Sequence, residues 1–390
     1  MKGLFLHAKW DPKPEYKLND YEIKTGKALA SNNVWRYPRL EMKDGIPEPE
    51  IGPRDVLLKV MACGICGSDL HFAEPDSDGY MVYPGHTRMN IVLGHEVSGV
   101  IEKMGNEVEG FEIGDTVAVE EMIWCGECTP CRNGFPNQCA RLEEIGVTKN
   151  GGMEPYVAVP AKLCWKLNEM KKLYGDGQEL FERGALVEPT SVAYNAIFER
   201  GQGFRPGAYA AVFGGGPIGL LGAGLMKAGG ASRVIVFEPQ VKRRELAKKM
   251  GADFVIDTGE IAKQGVKPHE VIMELTHGDG ADILMEAAGV PDITMPEIMK
   301  SLAVNAHIIQ TAMSGVTVPV VFVPLQARAG QIFGSVGHSG NGTFENVIRL
   351  MASGLIDVKP VISAKFKLDD AIEAFKVANE RDGAKVILIP

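Results

Sequence analysis

Hydrophobic positions along the chain follow two different rhythms. Up to about residue 190 they come in short runs broken by glycine, proline and charge. Val56-Leu57-Leu58-Lys59-Val60-Met61 reads as a strand, Ile91 to Val100 as a further apolar run, and Gly110 to Val119 as a turn followed by a strand. Short strands with glycine turns at regular spacing predict a β-rich first domain, a small and partly open barrel. From Ser191 the chain turns helical and then alternates. It runs as strand 208–213, helix 217–229, strand 233–237, helix 240–250 and strand 253–256, with a strand at 281–286 and an apolar run at 304–310. Strands alternating with helices of this length predict a doubly wound parallel sheet. Beyond residue 332 the helical period returns at Phe344 to Met351 and Leu368 to Val377, and the chain closes on a short strand, Lys385 to Ile389. The expected class is therefore α/β: a β-rich domain over 1–191, an alternating domain over 192–331, and a return over 332–390 to the first domain.

Length and charge narrow the function. The 390 residues suit two or three domains, each large enough to bury a core. A net charge of -9, with no Lys/Arg-rich run, argues against a nucleic-acid partner. The basic cluster Val241-Lys242-Arg243-Arg244, with Lys248-Lys249, reads mostly as the solvated face of a helix. The apolar stretch 316–325 is interrupted by Pro319 and Pro324 and is too short to span a bilayer, and residues 1–10 lack the pattern of a secretory signal. No membrane partner is expected. Seven cysteines, an odd number mostly at tight spacings, point to metal binding in a reducing, cytoplasmic setting rather than to disulfides.

Three constellations carry chemistry. Cys66, in Cys66-Gly67-Ser68-Asp69, and His95-Glu96 supply a thiolate, an imidazole and a carboxylate, ligand types suited to Zn²⁺. Cys66, His95 and one more ligand leave a position open, as a catalytic ion requires, and Glu96 and Glu188 compete for the remaining places. Ser68 and His71 lie beside the first ligand, where a proton relay is useful. Cys63-x-x-Cys66 also has the spacing of a redox pair, against a packing role for Cys63, and Cys164 has no role assigned. Second, Cys125, Cys128, Cys131 and Cys139 sit in a lobe over 124–140 and can surround one tetrahedral Zn²⁺ with no open position, which makes that ion structural. An iron–sulfur cluster fits less well, because the Cys-Pro of the bacterial ferredoxin run is missing. Third, Gly214, Gly216 and Gly219, with Pro217 and Ile218, form a GxGxxG loop between a strand and a helix, and Glu238 ends the next strand. That context marks a dinucleotide site, with Glu238 placed to accept from the adenosine ribose and to favour NAD over NADP. Arg243 and Arg244 work against that preference, since an arginine there accommodates a 2′-phosphate. Arg243 equally fits the adenosine end. Metal and dinucleotide together point to hydride transfer.

These motifs, in this order, resemble the zinc-containing medium-chain dehydrogenase/reductase family over essentially the whole chain. The resemblance implies a GroES-like catalytic domain and a Rossmann coenzyme domain, with Cys66 and His95 as zinc ligands and Glu96 as a ligand or exchanging neighbour. It further implies Asp69 orienting His95, Ser68 taking the alcohol proton, and His71 passing it on. Val187-Glu188-Pro189-Thr190-Ser191-Val192-Ala193 looks like the polyol-dehydrogenase branch, whereas threonine dehydrogenases usually lack this Glu-Pro. Leu6 to Pro12, Val34 to Pro38 and Gly337-His338-Ser339-Gly340 resemble enzymes of cyclic-polyol breakdown within that branch. Gly337 beside His338 replaces the substrate arginine of animal sorbitol dehydrogenases. The polar stretch from His71 to His95, with Asp76, Asp78, Tyr80 and Tyr83, fits either a wall for a polyhydroxylated ring or a surface loop. The expected partner is a small polyol or related secondary alcohol. The resemblance implies a homotetramer or homodimer, and the apolar run Val316 to Val323 reads as an edge strand for assembly.

Overall fold

The computed structural model describes all residues, 1–390, and divides into two compact units. The first comprises Met1–Glu188, Ala364–Glu380 and Lys385–Pro390. Its main sheet runs in the order 164–166, 116–119, 96–104, 55–65, 385–389, 362–367, with strand 156–160 also paired to 55–65. A smaller sheet joins 3–10 to 35–43 and 91–92. Strand Asp55–Ile65 is the hub, antiparallel to Glu96–Met104 on one side and to Lys385–Ile389 on the other. Leu58, Val60, Phe72, Val97, Val117 and Leu388 are buried in one core, so the last strand of the chain completes a sheet begun by its first third. Alternate residues of such a strand face that core, which fixes the register of the strands bearing the candidate ligands.

The second unit comprises Pro189–Ser363 and Arg381–Ala384. Six parallel strands, β1 (Tyr209–Phe213), β2 (Arg233–Phe237), β3 (Phe254–Ile256), β4 (Ala281–Glu286), β5 (Leu302–Gln310) and β6 (Gln331–Gly334), lie in the spatial order 3-2-1-4-5-6. This is the doubly wound arrangement that the alternation predicts, reversing direction between β1 and β4. Ala211, Phe213, Ile235, Phe237, Leu284 and Ile308 pack together, and the rings of Phe213 and Phe237 stack at 4.9 Å.

Three sequence expectations change. Residues 316–321 form no strand and a helix begins at Phe322, so the edge strand expected over Val316 to Val323 is absent. Pro319 has no N–H for a ladder and Pro324 fits within the first turn of the helix instead. The return to the first unit begins at Ala364 rather than 332. Helix Thr343–Ala352 belongs to the second unit, where Asn346 Nδ2 donates to Tyr194 Oη at 3.2 Å and Ile356 packs against Gly224. The basic cluster is solvated as expected at Lys242, Lys248 and Lys249, but its two arginines are half-buried and held in place. Lys242 pairs with Asp382, Arg243 Nε donates to the Gly383 carbonyl at 2.8 Å, and Arg244 pairs with Asp257 at 2.7 Å.

Candidate active site

Strand 55–65 ends at Cys66, which caps the short helix Gly67–Ala73. The Asp69 carboxylate accepts from the Cys66 backbone N–H at 2.9 Å, closing the first helical turn and fixing where the thiol begins. Ser68 and His71 stand three residues apart on this helix and so share a face, both half-buried. His95 immediately precedes the strand that starts at Glu96. The ligand atoms of Cys66, His95 and Glu96 all lie within 4.8 Å of one another.

The electrostatics follow from burial. Asp69 is fully buried, and its Oδ1 faces His95 Nδ1 at 3.6 Å, an ion-pair separation longer than a hydrogen bond. Burial pushes the Asp69 carboxyl up to about 6, opposed by His95 and the Cys66 N–H. Burial by itself lowers His95, but the charges of Asp69 and Cys66 carry it well above the usual imidazole value. Glu96 Oε2 is a buried atom without a hydrogen-bond partner. Such an orphaned acceptor, grouped with a thiol and with an imidazole whose Nδ1 is turned to Asp69, is what a cation would satisfy, so the trio fits Zn²⁺. Glu188 is 5 % exposed, and its charge acts on both His95 and Glu96.

Two participants escape a reading of motifs. Lys385 is buried and donates to Glu96 Oε1 and, at 3.1 Å, to the Ile65 carbonyl. Its one visible signal is a lysine opening the apolar strand Lys385-Val386-Ile387-Leu388-Ile389. Glu121 is likewise buried, with a carboxylate oxygen within 4.8 Å of one of Glu188. Nothing in its spacing from Cys66, His95, Glu96 or Glu188 marks it. Cys63 is fully buried, and burial raises its thiol well above the ordinary value, which leaves it a packing residue rather than half of a redox pair.

The four-cysteine lobe is assembled. Sulfur separations are 3.4 Å for Cys128–Cys131, 3.8 Å for Cys128–Cys139 and 4.0 Å for Cys125–Cys131. Tetrahedral bonds of about 2.3 Å require edges of about 3.8 Å, so the donor set fits one Zn²⁺. Backbone N–H groups of Glu127 and Cys128 point at Cys125 Sγ at 3.4 Å and pull that thiol down to about 5.

In the second unit, Gly214 adopts φ +101°, and a Cβ there would stand 2.7 Å from the Ala288 backbone nitrogen. A Cβ at Gly219 would stand 1.9 Å from the Gly214 carbonyl, whereas one at Gly216 would meet nothing within 4 Å. The loop therefore closes tightly on itself but is open at Gly216, the N-cap of helix Pro217–Ala228, with Pro217 and Ile218 in its first turn. The shape of this cradle fits a phosphate. Glu238 is 3 % exposed and holds the cradle in shape, Oε2 accepting from the Gly215 N–H and Oε1 from the Gln240 N–H, each at 2.7 Å.

Comparison with known proteins converges on one family. Residues 52–169 match the model of the alcohol dehydrogenase GroES-like domain, and residues 217–353 that of zinc-binding dehydrogenases. Scyllo-inosose 3-dehydrogenase of Thermotoga maritima is 44% identical over 387 residues, 96% of each chain. L-threonine 3-dehydrogenase of Pyrococcus horikoshii is 34% identical, covering 88% of this chain and 93% of that protein. A solved Thermotoga maritima structure described as an alcohol dehydrogenase superposes with TM-score 0.94 at 42% identity over all of both chains. A zinc-binding dehydrogenase of Sinorhizobium meliloti bound to NADP (TM-score 0.74, 27% identity, 93% and 97% covered) has the same fold. So has the Escherichia coli dehydrogenase RspB complexed with NADH (0.71, 27%, 93% and 98%). No helix of this chain is long and apolar enough to cross a membrane.

Proposed function

The chain belongs to the zinc-binding alcohol dehydrogenase family and is an alcohol or polyol oxidoreductase, and from that premise we propose that it oxidises one secondary hydroxyl of a cyclic polyol to a ketone, as a scyllo-inosose 3-dehydrogenase. The observation that carries the substrate class is 44% identity to the Thermotoga enzyme over 96% of both chains.

Cys66, His95 and Glu96 would hold the catalytic Zn²⁺, and Cys125, Cys128, Cys131 and Cys139 would hold the structural one. Glu188, whose ligand atom lies outside that trio but whose charge reaches His95 and Glu96, is the competitor of Glu96. Bound Zn²⁺ supplies Lewis-acid polarisation of an alcohol or carbonyl oxygen, and the nicotinamide supplies the hydride acceptor. Around them the protein positions and moves protons. Asp69 faces Nδ1 of His95 and fixes the Cys66 backbone, so both ligands are held from one buried carboxylate. Ser68 Oγ takes the hydroxyl proton and passes it to His71, one helical turn along and half-exposed. The Gly214–Gly219 cradle binds the pyrophosphate, with Arg243 at the adenosine end. A buried Glu238 carboxylate accepts ribose hydroxyls and disfavours a 2′-phosphate, which supports NAD over NADP. Four of the seven cysteines gathered as one zinc-ligand set support a reducing, cytoplasmic setting. The exposed Val316, Val321, Phe322 and Val323 support assembly into a homodimer or homotetramer.

Cys66→Ala and His95→Ala test the mechanism. Turnover is expected to be lost in both while NADH binding, followed by fluorescence, is retained. Unchanged turnover in both contradicts the zinc reading. The threonine dehydrogenase relative favours, as a second reading, the same chemistry on the hydroxyl of L-threonine.

A further inference from the structure

Strand 55–65 brings together two residues far apart in sequence. Gly64 pairs with Glu96 on one side and with Ile387 on the other, and Ile65 pairs with Val386. Lys385 and Glu96 therefore converge from opposite sides of the strand, at its ligand-bearing end. They meet because position 64 has no side chain: a Cβ there would stand 1.9 Å from Glu96 Oε2.

The two oxygens of Glu96 are then treated differently. Oε1 receives the Lys385 ammonium, which is also held by the Ile65 carbonyl. Oε2 is buried and has no hydrogen-bond partner, although the Glu96 carboxylate groups with the Cys66 and His95 ligand atoms. A free carboxylate in that place has two equivalent oxygens and can chelate a cation with both. Lysine, a point charge on a flexible stem, engages one oxygen and leaves the other. An arginine fork matches both oxygens at once.

We propose that Lys385 is a positioning residue for the catalytic metal: by engaging Oε1 it presents Glu96 through Oε2 alone, keeping a coordination position for the substrate oxygen. This rests on the zinc reading of the site. It differs from simple charge neutralisation in one respect. Neutralisation is satisfied by any cation at 385, whereas one-oxygen presentation needs lysine.

The test is the visible absorption of the full-length protein with Co²⁺ in the catalytic site, in wild type, Lys385→Arg and Lys385→Met, with melting temperatures measured alongside. In Lys385→Arg the fork takes both oxygens and removes Glu96 from the ligand set, so the cobalt bands shift while the melting temperature stays near wild type. In Lys385→Met both oxygens are released, coordination number rises and the bands weaken. In both, kcat falls by about 10–100-fold, the usual range for losing a residue that orients a ligand, with NADH affinity unchanged. Either folded variant showing the wild-type cobalt spectrum and turnover overturns the proposal. If wild-type protein takes up no Co²⁺ dependent on Cys66, the zinc reading itself fails, and that outcome is distinguishable from the first.

Discussion

Gly64→Ala is the smallest change that the geometry of the site forbids. The added Cβ would lie 1.9 Å from Glu96 Oε2, 3.0 Å from its carboxyl carbon and 3.1 Å from its Cβ. Ordinary contact begins at 3.4 Å, so strand or carboxylate must yield by about 1.5 Å. The strand cannot move freely, being paired on both sides, to 96–104 and to 385–389. The carboxylate cannot move without leaving Lys385. Overpacking costs about 1–3 kcal/mol, and separating a buried pair costs about 3–5 kcal/mol. The two routes relieve the same clash, so they do not add and the cheaper one sets the cost, a loss of about 1–3 kcal/mol. For a unit of about 200 residues this lowers the melting temperature by about 2–12 °C. A ligand displaced by about 1 Å costs about 100-fold in turnover. The assay is differential scanning calorimetry with initial rates, and Gly177→Ala is the control, since its Cβ meets nothing within 4 Å. A Gly64→Ala protein as stable and as active as the control would refute the placement of Glu96.

Three further outcomes follow from other parts of the molecule. Cys125→Ser should lower zinc content and melting temperature before it reduces turnover, because no relay or cofactor residue lies in the lobe; loss of activity without a fall in melting temperature would contradict this. Glu154 is fully buried with neither carboxylate oxygen partnered, and burial pushes it up to about 8 from 4.5, against the opposing N-terminal charge. The folded state thus holds a proton that the unfolded state releases, so this group's contribution to stability is present below about 4.5 and lost as pH rises through about 8, with a ceiling of about 5 kcal/mol. Glu154→Gln should gain stability relative to wild type as urea midpoints are followed across that window, and a constant difference would contradict the reasoning. Glu238→Gln should raise kcat/KM with NADP relative to NAD by about tenfold through loss of one negative charge; an unchanged ratio would remove Glu238 from cofactor choice.

The alternation of strand and helix after residue 191, and the glycine spacing at 214–219, are local patterns, and both were legible because each reflects the geometry of one βαβ unit. Cys66, His95 and Glu96 were legible by residue type as candidate ligands, and their ligand atoms do lie within 4.8 Å of one another, but the partner of Glu96 was not legible. Lys385 reaches Glu96 only because strand 385–389 returns to pair with 55–65, a contact between residues 289 apart in sequence. No local period encodes it. Val316 to Val323 misled in the opposite sense, since its β-branched residues resemble a strand while Pro319 and Pro324 deny it a ladder. Helix 343–352 stays with the coenzyme unit for a tertiary reason, its contact with Tyr194, which its own amphipathic period does not carry.

Zinc-dependent, NAD-linked oxidation of a ring polyol would be read out as the rate of NADH formation. Purified zinc-loaded protein would be given scyllo-inosose, myo-inositol, sorbitol, 2,3-butanediol and L-threonine, each with NAD and with NADP. A clear preference for the inosose with NAD is expected. Turnover confined to L-threonine or to open-chain diols would contradict the ring-polyol assignment.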